Sequence, residues 1–163
     1  MWCRLSDVAE IIMGSSPSGN NICDNSQYTE FHQGKIYFSD YMLDRSNQYT
    51  KEVTKMASSD SILLCVRAPV GEVNITDRPV CIGRGLVAIK PYTNVSEIFL
   101  FFCFQAFKPI LVSKATGTTF AAISSDVVKR LVIPIPPIKE QDQIIKSINN
   151  YFNQLANIEK SLN

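Results

Sequence analysis

Apolar residues follow two rhythms along this chain. Through the middle they come in short blocks cut by Gly, Pro and Asp. At the end they recur every three or four residues without a break. Residues 61–66 form a block that reads as a buried strand. Residues 70–75 put Val73 and Ile75 on one face and Glu72 and Asn74 on the other, the alternation of a half-buried strand. A turn at Asp77-Arg78-Pro79 leads to 80–82, and 86–89 completes a β-rich centre. Residues 11–13 (ended by Gly14), 35–38 and 131–135 are shorter strand candidates. Ser6 is placed to cap a helical turn carrying Asp7 and Glu10. The stretches 14–34 and 39–51 are polar and read as loops, the first of a length that is usually functional or disordered. Ser96 opens a helix that is apolar nearly all round (Ile98, Phe99, Leu100, Phe101, Phe102, Phe104, Phe107), which belongs in a core. A Thr/Gly loop spans 113–120, and Ser125 can cap a short helix through Arg130.

The tail differs in kind. After residue 137 there is no Gly or Pro, and the apolar residues fall on heptads. Ile148, Leu155 and Leu162 share one position, which polar Gln141 opens. Ile144, Tyr151 and Ile158 share the other, and Ile145 and Phe152 widen the stripe. Such a helix would run about 25 residues, or roughly 37 Å. It could fold back on its own domain, but its length and its place after Pro136-Pro137 favour packing against a partner helix. The predicted fold is mixed α/β (α+β). A small, twisted, β-rich recognition domain over 1–136, its sheet mostly antiparallel or mixed, precedes a long C-terminal coiled-coil-type helix over 137–163.

Composition narrows the function. No apolar run approaches the ~18 residues of a membrane span, and no basic segment leads into a hydrophobic one at the start. A cytoplasmic protein with no membrane partner is expected. The five Cys show no C-x-x-C pair, and Cys65, Cys81 and Cys103 sit in apolar runs; reduced, buried thiols are expected rather than a metal site. The single histidine, His32, lies in a polar stretch and reads as solvated. No Ser/His/acid set, P-loop, base-flipping methyltransferase motif, nuclease carboxylate–Lys cluster or metal-ligand cluster can be assembled. The residues describe a non-catalytic binding domain with an assembly helix. Net charge is +1, but residues 1–60 hold five Lys/Arg against eight Asp/Glu, so the remainder is basic. Phosphate contacts need only local positive charge.

Candidate binding residues fall in several places. Arg67 and Arg84 sit at Gly/Pro-forced turns and can grip a phosphate or a guanine edge; equally, each could hold its turn by pairing with a carboxylate such as Glu72. Arg45, Asn47, Gln48, Tyr49 and Lys51 supply the donors, acceptors and stacking surface of base readout, or form a solvated loop. Thr118 and Thr119 beside Gly117, with Lys114 nearby, could hold a phosphate or cap a tight turn. Ser15 and Ser16 after Gly14, and Lys35 after Gly34, invite the same two readings.

The run from Val66-Arg67-Ala68-Pro69-Val70-Gly71-Glu72 to Val73-Asn74-Ile75, followed by Cys81-Ile82-Gly83-Arg84-Gly85-Leu86, resembles the signature of one family: the target recognition domain of type I restriction–modification DNA specificity subunits. Three further stretches match that family in order. They are Leu5-Ser6-Asp7-Val8-Ala9-Glu10-Ile11 with Gly14-Ser15-Ser16-Pro17, Gly117-Thr118-Thr119-Phe120 with Ile123-Ser124, and Ile133-Pro134-Ile135-Pro136-Pro137-Ile138-Lys139-Glu140-Gln141. The resemblance implies a subunit with two recognition domains, each reading half of a split target on double-stranded DNA. Antiparallel spacer helices would fix the gap and dock methyltransferase (modification) subunits, with a restriction subunit joining through the complex. It implies no cofactor on this chain; S-adenosylmethionine, ATP and magnesium belong to partner subunits. This chain resembles one half, so self-association, or pairing with a second half-subunit through the C-terminal helix, would present a symmetric split site. Family members read different sequences, so Arg67 and Arg84, inside shared motifs, suit structural or backbone contacts better than base reading. The alternative class is a protein-interaction or assembly module, or a remnant of such a subunit that no longer reads DNA; near-zero net charge supports it. A concave face gathering Lys35, Arg45, Lys114 and the Arg67 and Arg84 turns would favour DNA.

Overall fold

The apolar blocks at the centre of the chain are continuous because one sheet is covered on both faces. In the computed structural model, which describes residues 1–117 and 121–162, the chain runs β1 (Trp2–Arg4), α1 (Leu5–Val8), β2 (Ala9–Met13), β3 (Ile22–Cys23), β4 (Thr29–His32), β5 (Tyr49–Thr50), β6 (Met56–Ala57), β7 (Ser61–Cys65), β8 (Val73–Thr76), β9 (Val80–Ile82), β10 (Leu86–Pro91), α2 (Glu97–Ser113), α3 (Ser125–Lys129), β11 (Val132–Pro134) and α4 (Ile138–Leu162). The antiparallel sheet β2-β10-β7-β8 is central. Ile62, Leu64, Val87 and Ile89 enter one core with Leu100, Phe101, Phe104 and Leu111 of α2. Their neighbours Leu63, Cys65, Leu86 and Ala88 enter a second core with Ala57, Val80 and Ile82 of the sheet β3-β5-β4-β9-β6. A strand buried on both faces has no polar side to alternate with. In the five-stranded sheet β4 and β9 run parallel, and β1 pairs antiparallel with β11 in a third sheet. The mixed α/β class and the long terminal helix match the sequence reading; three sheets stand where one was expected.

Several local expectations are corrected. Asn74, placed by alternation on an outward face, is wholly buried. Its side-chain amide donates to Ser39 O at 2.8 Å and its Oδ1 accepts from Ser39 N at 3.3 Å. That amide pins residues 39–43 along the free edge of β8, where Ile75 N–H bonds Tyr41 O and Leu43 N–H bonds Ile75 O. Lys35–Tyr37 is a 3-10 turn, closed by Phe38 N–H on Lys35 O, and not a strand. The supposed loop 14–34 contains a second 3-10 turn, Gly19–Asn21, together with β3 and β4. Ser6 lies inside α1 because the chain turns one residue earlier, where Leu5 N–H bonds Leu131 O at 2.8 Å; Arg4 N–H bonds Asp7 Oδ2 instead. Ser124, not Ser125, caps α3, accepting from Val127 N–H. Ser96 caps α2 as expected.

The helix α4 is held at its root by its one polar stripe residue. Gln141 is fully buried, accepts from Ser96 N–H at 2.9 Å, and donates to Asn94 O and Pro136 O. Ile144 and Ile148 are half-buried beside α2, and Phe152 stacks on Phe102 with ring centroids 6.4 Å apart. Tyr151, Leu155, Ile158 and Leu162 are between 55% and 81% exposed. The six stripe residues therefore divide, two facing the domain's own α2 and four open to solvent. Among the described residues no helix is long and apolar enough to cross a membrane.

Candidate nucleic-acid interface

Two groups of the candidate residues are brought together by backbone hydrogen bonds. The first begins where β2 ends. Gly14 N–H bonds Leu86 O at 2.9 Å and Ser15 N–H bonds Ile82 O at 3.0 Å, laying residues 14–16 across the turn at Gly83-Arg84-Gly85. Ser16 Oγ donates to Gln33 Oε1 at 2.8 Å and accepts from Arg84 N–H at 3.1 Å. Gly85 O accepts from Val66 N–H, Val66 O from Ile123 N–H, and Ala121 O from Ala68 N–H. Ser15, Ser16, Arg84, Arg67 and the backbone around Ala122 thus form one continuous seam. Lys35 lies beside it, its Nζ 3.6 Å from Glu72 Oε1. Lys108 reaches the same oxygen at 2.9 Å, and mainly for that reason the Glu72 carboxyl sits below its usual pKa. Glu72 therefore serves two lysines, not the arginines. The exposed guanidinium groups of Arg67 and Arg84 have no ion pair among the described residues.

The second group lies on and beside β5, against β4. Tyr49 pairs with Glu30 and Cys23, Phe31 N–H bonds Gln48 O at 2.8 Å, and Lys51 N–H bonds Asn21 O at 2.9 Å. Asn47 Oδ1 accepts from the Tyr37 hydroxyl, and Lys51 Nζ sits 5.6 Å from the centre of the Tyr28 ring. Arg45, 75% exposed, borders a hollow lined by Tyr28, Tyr49 and Arg78. Tyr49 and Thr50 form β5, and the irregular residues around them are tied to it at Gln48 O and Lys51 N–H.

Behind this group is a buried polar cluster. His32, expected in solvent, is 1% exposed: its Nε2 lies 2.9 Å from Glu30 Oε1 and its ring meets Tyr37 edge-on. Burial holds its pKa below the usual histidine value, against the pull of Glu30. Burial tends to raise the Glu30 carboxyl, but hydrogen bonds from Arg78, Ser46 N–H and His32 outweigh it and bring the pKa down to about 2. Neither Glu30 nor Arg78 is visible as a site in the sequence, since the contributors come from segments around 30, 45 and 78.

Lys114 joins neither group. It stands at the C-cap of α2 and lines a hollow with Trp2, Asp126 and Arg130. Thr118 and Thr119 lie outside the described residues. Among the described residues no His/Cys/Asp/Glu cluster could hold a metal ion. All five cysteines are free thiols; Cys65 and Cys81 are buried, whereas Cys103 is only half-buried. Burial pushes the Cys65 thiol up to about 12 and Cys103 to about 11.

The family model for the type I restriction modification DNA specificity domain matches residues 2–163. The chain belongs to this family. It is homologous to type I specificity subunits, the non-catalytic class of component in such systems. A Methanocaldococcus jannaschii protein provisionally named the type I restriction enzyme MjaX specificity subunit is 36% identical over 140 residues, covering 85% of this chain and 33% of that protein. The type I restriction enzyme MjaIX specificity subunit of the same organism is 27% identical over 170 residues, covering 98% and 39%. The HsdS subunit from Thermoanaerobacter tengcongensis superposes with a TM-score of 0.87 at 30% identity, covering 99% of this chain and 39% of that one. A chain solved in work on complex assembly and conformational transition of the type I R-M system gives 0.88 at 31% identity, covering 99% and 40%. The chain thus spans 33% to 39% of the length of these two M. jannaschii relatives.

In this specificity domain the buried cluster sets an acid limit on stability. A carboxyl lowered from 4.5 to about 2 stabilises the fold by about 3 kcal/mol above pH 4.5, and that contribution disappears as pH falls toward 2. His32 adds to the trend. Below about pH 6.5 the unfolded chain takes up a proton that the buried ring resists, so stability declines from there. Urea midpoints across pH 7 to 3 should fall, and Glu30→Gln should flatten the portion below pH 4.5. A midpoint independent of pH would refute the assignment.

Proposed function

We propose that this chain is a sequence-specific DNA-binding half-subunit, in which residues 1–136 read one half of a split target and residues 137–163 form the spacer and pairing helix. The observation that carries it is the seam joining Ser15, Ser16, Arg84 and Arg67, with two exposed arginines that have no carboxylate partner among the described residues. A phosphate backbone is the partner such groups suit. Arg45, Asn47, Gln48, Tyr49 and Lys51 supply base readout, while Lys35, Lys114, Thr118 and Thr119 are secondary phosphate candidates. The exposed half of α4 pairs with a second copy or a second half-subunit and docks methyltransferase subunits, with a restriction subunit joining through them. The chain itself carries no cofactor; S-adenosylmethionine, ATP and magnesium act on the partners, in the cytoplasm.

Selection from a randomised duplex pool, with the chain alone and with a methyltransferase subunit, tests this. An enriched split motif with a fixed gap is expected, palindromic if two copies pair. Arg67→Ala and Arg84→Ala should each weaken binding to all sequences alike and lower the salt slope by about one. Arg45→Ala and Gln48→Ala should instead reduce discrimination by roughly 1–3 kcal/mol. No enrichment in either condition would favour an interaction module or remnant, a reading supported by the net charge of +1.

A further inference from the structure

Arg78 looks like an ordinary turn residue between Asp77 and Pro79, yet its guanidinium is bonded on every side. Its Nε donates to Glu30 Oε2 at 2.8 Å and its Nη2 to Glu30 Oε1 at 2.7 Å, a two-pronged grip on one carboxylate. Its Nη1 reaches Leu43 O at 3.0 Å and Asp77 Oδ1 at 2.7 Å, and its Nη2 also reaches Asp44 O at 2.9 Å. Glu30 Oε1 in turn accepts from Ser46 N–H at 2.8 Å, and Ser46 Oγ accepts from Gln48 N–H at 2.9 Å. From 43 to 48 the backbone is therefore fastened at Leu43 O, Asp44 O, Ser46 N and Gln48 N. These four lead to the pair, directly or through the buried Ser46, while Leu43 N–H, Asp44 N–H and Gln48 O are held separately by Ile75 O, Tyr37 O and Phe31 N–H. Arg45 lies between the anchors; its side chain is 75% exposed, with Nη1 3.4 Å from Glu30 Oε2, so the same carboxylate also steadies its guanidinium.

We propose that Arg78 and Glu30 are a positioning pair that fixes residues 43–48 and so aims Arg45, Asn47 and Gln48 at the bases, without themselves touching DNA. The aiming rests on the DNA reading proposed above; the ordering of the segment does not. The work needs a planar fork, because five bonds leave three nitrogens in one plane. A lysine keeps the charge and loses the fork. Discrimination in this domain then depends on a residue some thirty positions downstream of the ones it aims.

Amide hydrogen exchange on the full chain tests the ordering. In Arg78→Lys, exchange at residues 43–51 should speed up about tenfold or more while β7 and β10 keep their protection. Unchanged exchange at 43–51, or an equal rise throughout the sheet, overturns the proposal. Arg78→Lys leaves the Glu30 charge poorly matched, so the double variant Glu30→Gln, Arg78→Met removes both charges. It should show the same local loosening in a folded chain. The aiming is tested by selection from the randomised duplex pool. Arg78→Lys should keep the wild-type affinity for unselected duplex and its salt slope, but lose about tenfold in discrimination. Full discrimination with a loosened segment overturns the aiming. A wild-type chain that enriches no motif sinks the DNA reading and the aiming with it, and exchange alone then decides the ordering.

Discussion

The double variant Leu155→Glu, Ile158→Glu is expected to be monomeric at concentrations where the wild-type chain pairs. Both side chains lie on the outward half of α4, 56% and 55% exposed. An apolar side chain moved from water into a helix–helix seam contributes about 1.5–3 kcal/mol. In a two-fold pair each position is counted twice, and little more than half of each side chain is open to be covered, so the variant removes roughly 3–7 kcal/mol. Glutamate is a good helix former, so far-ultraviolet circular dichroism should be unchanged and the loss should be of association alone. Gln141, Ile144 and Ile148 are untouched, and the root of the helix should stay docked. Sedimentation velocity over a concentration series reads the result. Wild-type chain that stays monomeric throughout rejects self-pairing.

Gly14→Ala is expected to prevent folding or to reduce stability by more than about 4 kcal/mol, an exceptional value for one methyl group. A Cβ at that position would sit 2.0 Å from Gly83 O and 2.8 Å from Leu86 O. Both are backbone atoms, and both belong to the turn and strand that Gly14 and Ser15 bond. No rotamer change relieves the clash. Relief requires separating residues 14–16 from the Arg84 turn, which breaks the seam at its start. By contrast, a Cβ at Gly19 meets nothing within 4 Å, so Gly19→Ala is the matched control and should be near neutral. Thermal melting of the two variants decides it, and a Gly14→Ala chain melting near wild type would refute the packing described.

The parts of the fold that could be read in the sequence are those whose signal is local. The cap at Ser96, the all-round apolar α2 and the heptads of α4 each lie within one window, and each is where the pattern puts it. Residues buried for non-local reasons could not be read. Asn74 alternates correctly yet is buried, because residues 39–43 return over the edge of β8. His32 sits among polar neighbours in sequence but among Glu30, Tyr37 and Arg78 in space. At the candidate site, the glycines and arginines of the seam stood out because turn chemistry is written in single residues. Their mutual contact did not, since four distant segments meet there. Arg78 and Glu30 carried no signal, because an ion pair has no period and forty-eight positions separate its partners.

The mounting of α4 makes it a lever. It is pinned at Gln141 and braced at Phe152. The pin and the brace are eleven residues apart, or about 16 Å, and ten more residues reach about 15 Å beyond the brace. A sideways displacement where Phe152 meets Phe102 is therefore roughly doubled at the tip. Slippage of less than about 2 Å between two rings would carry the far end through about 3.4 Å, one base-pair step of DNA. Where the tip of this arm points is thus sensitive to small shifts at a partly exposed aromatic contact near the middle of the helix, beyond the footing that Ile144 and Ile148 give it.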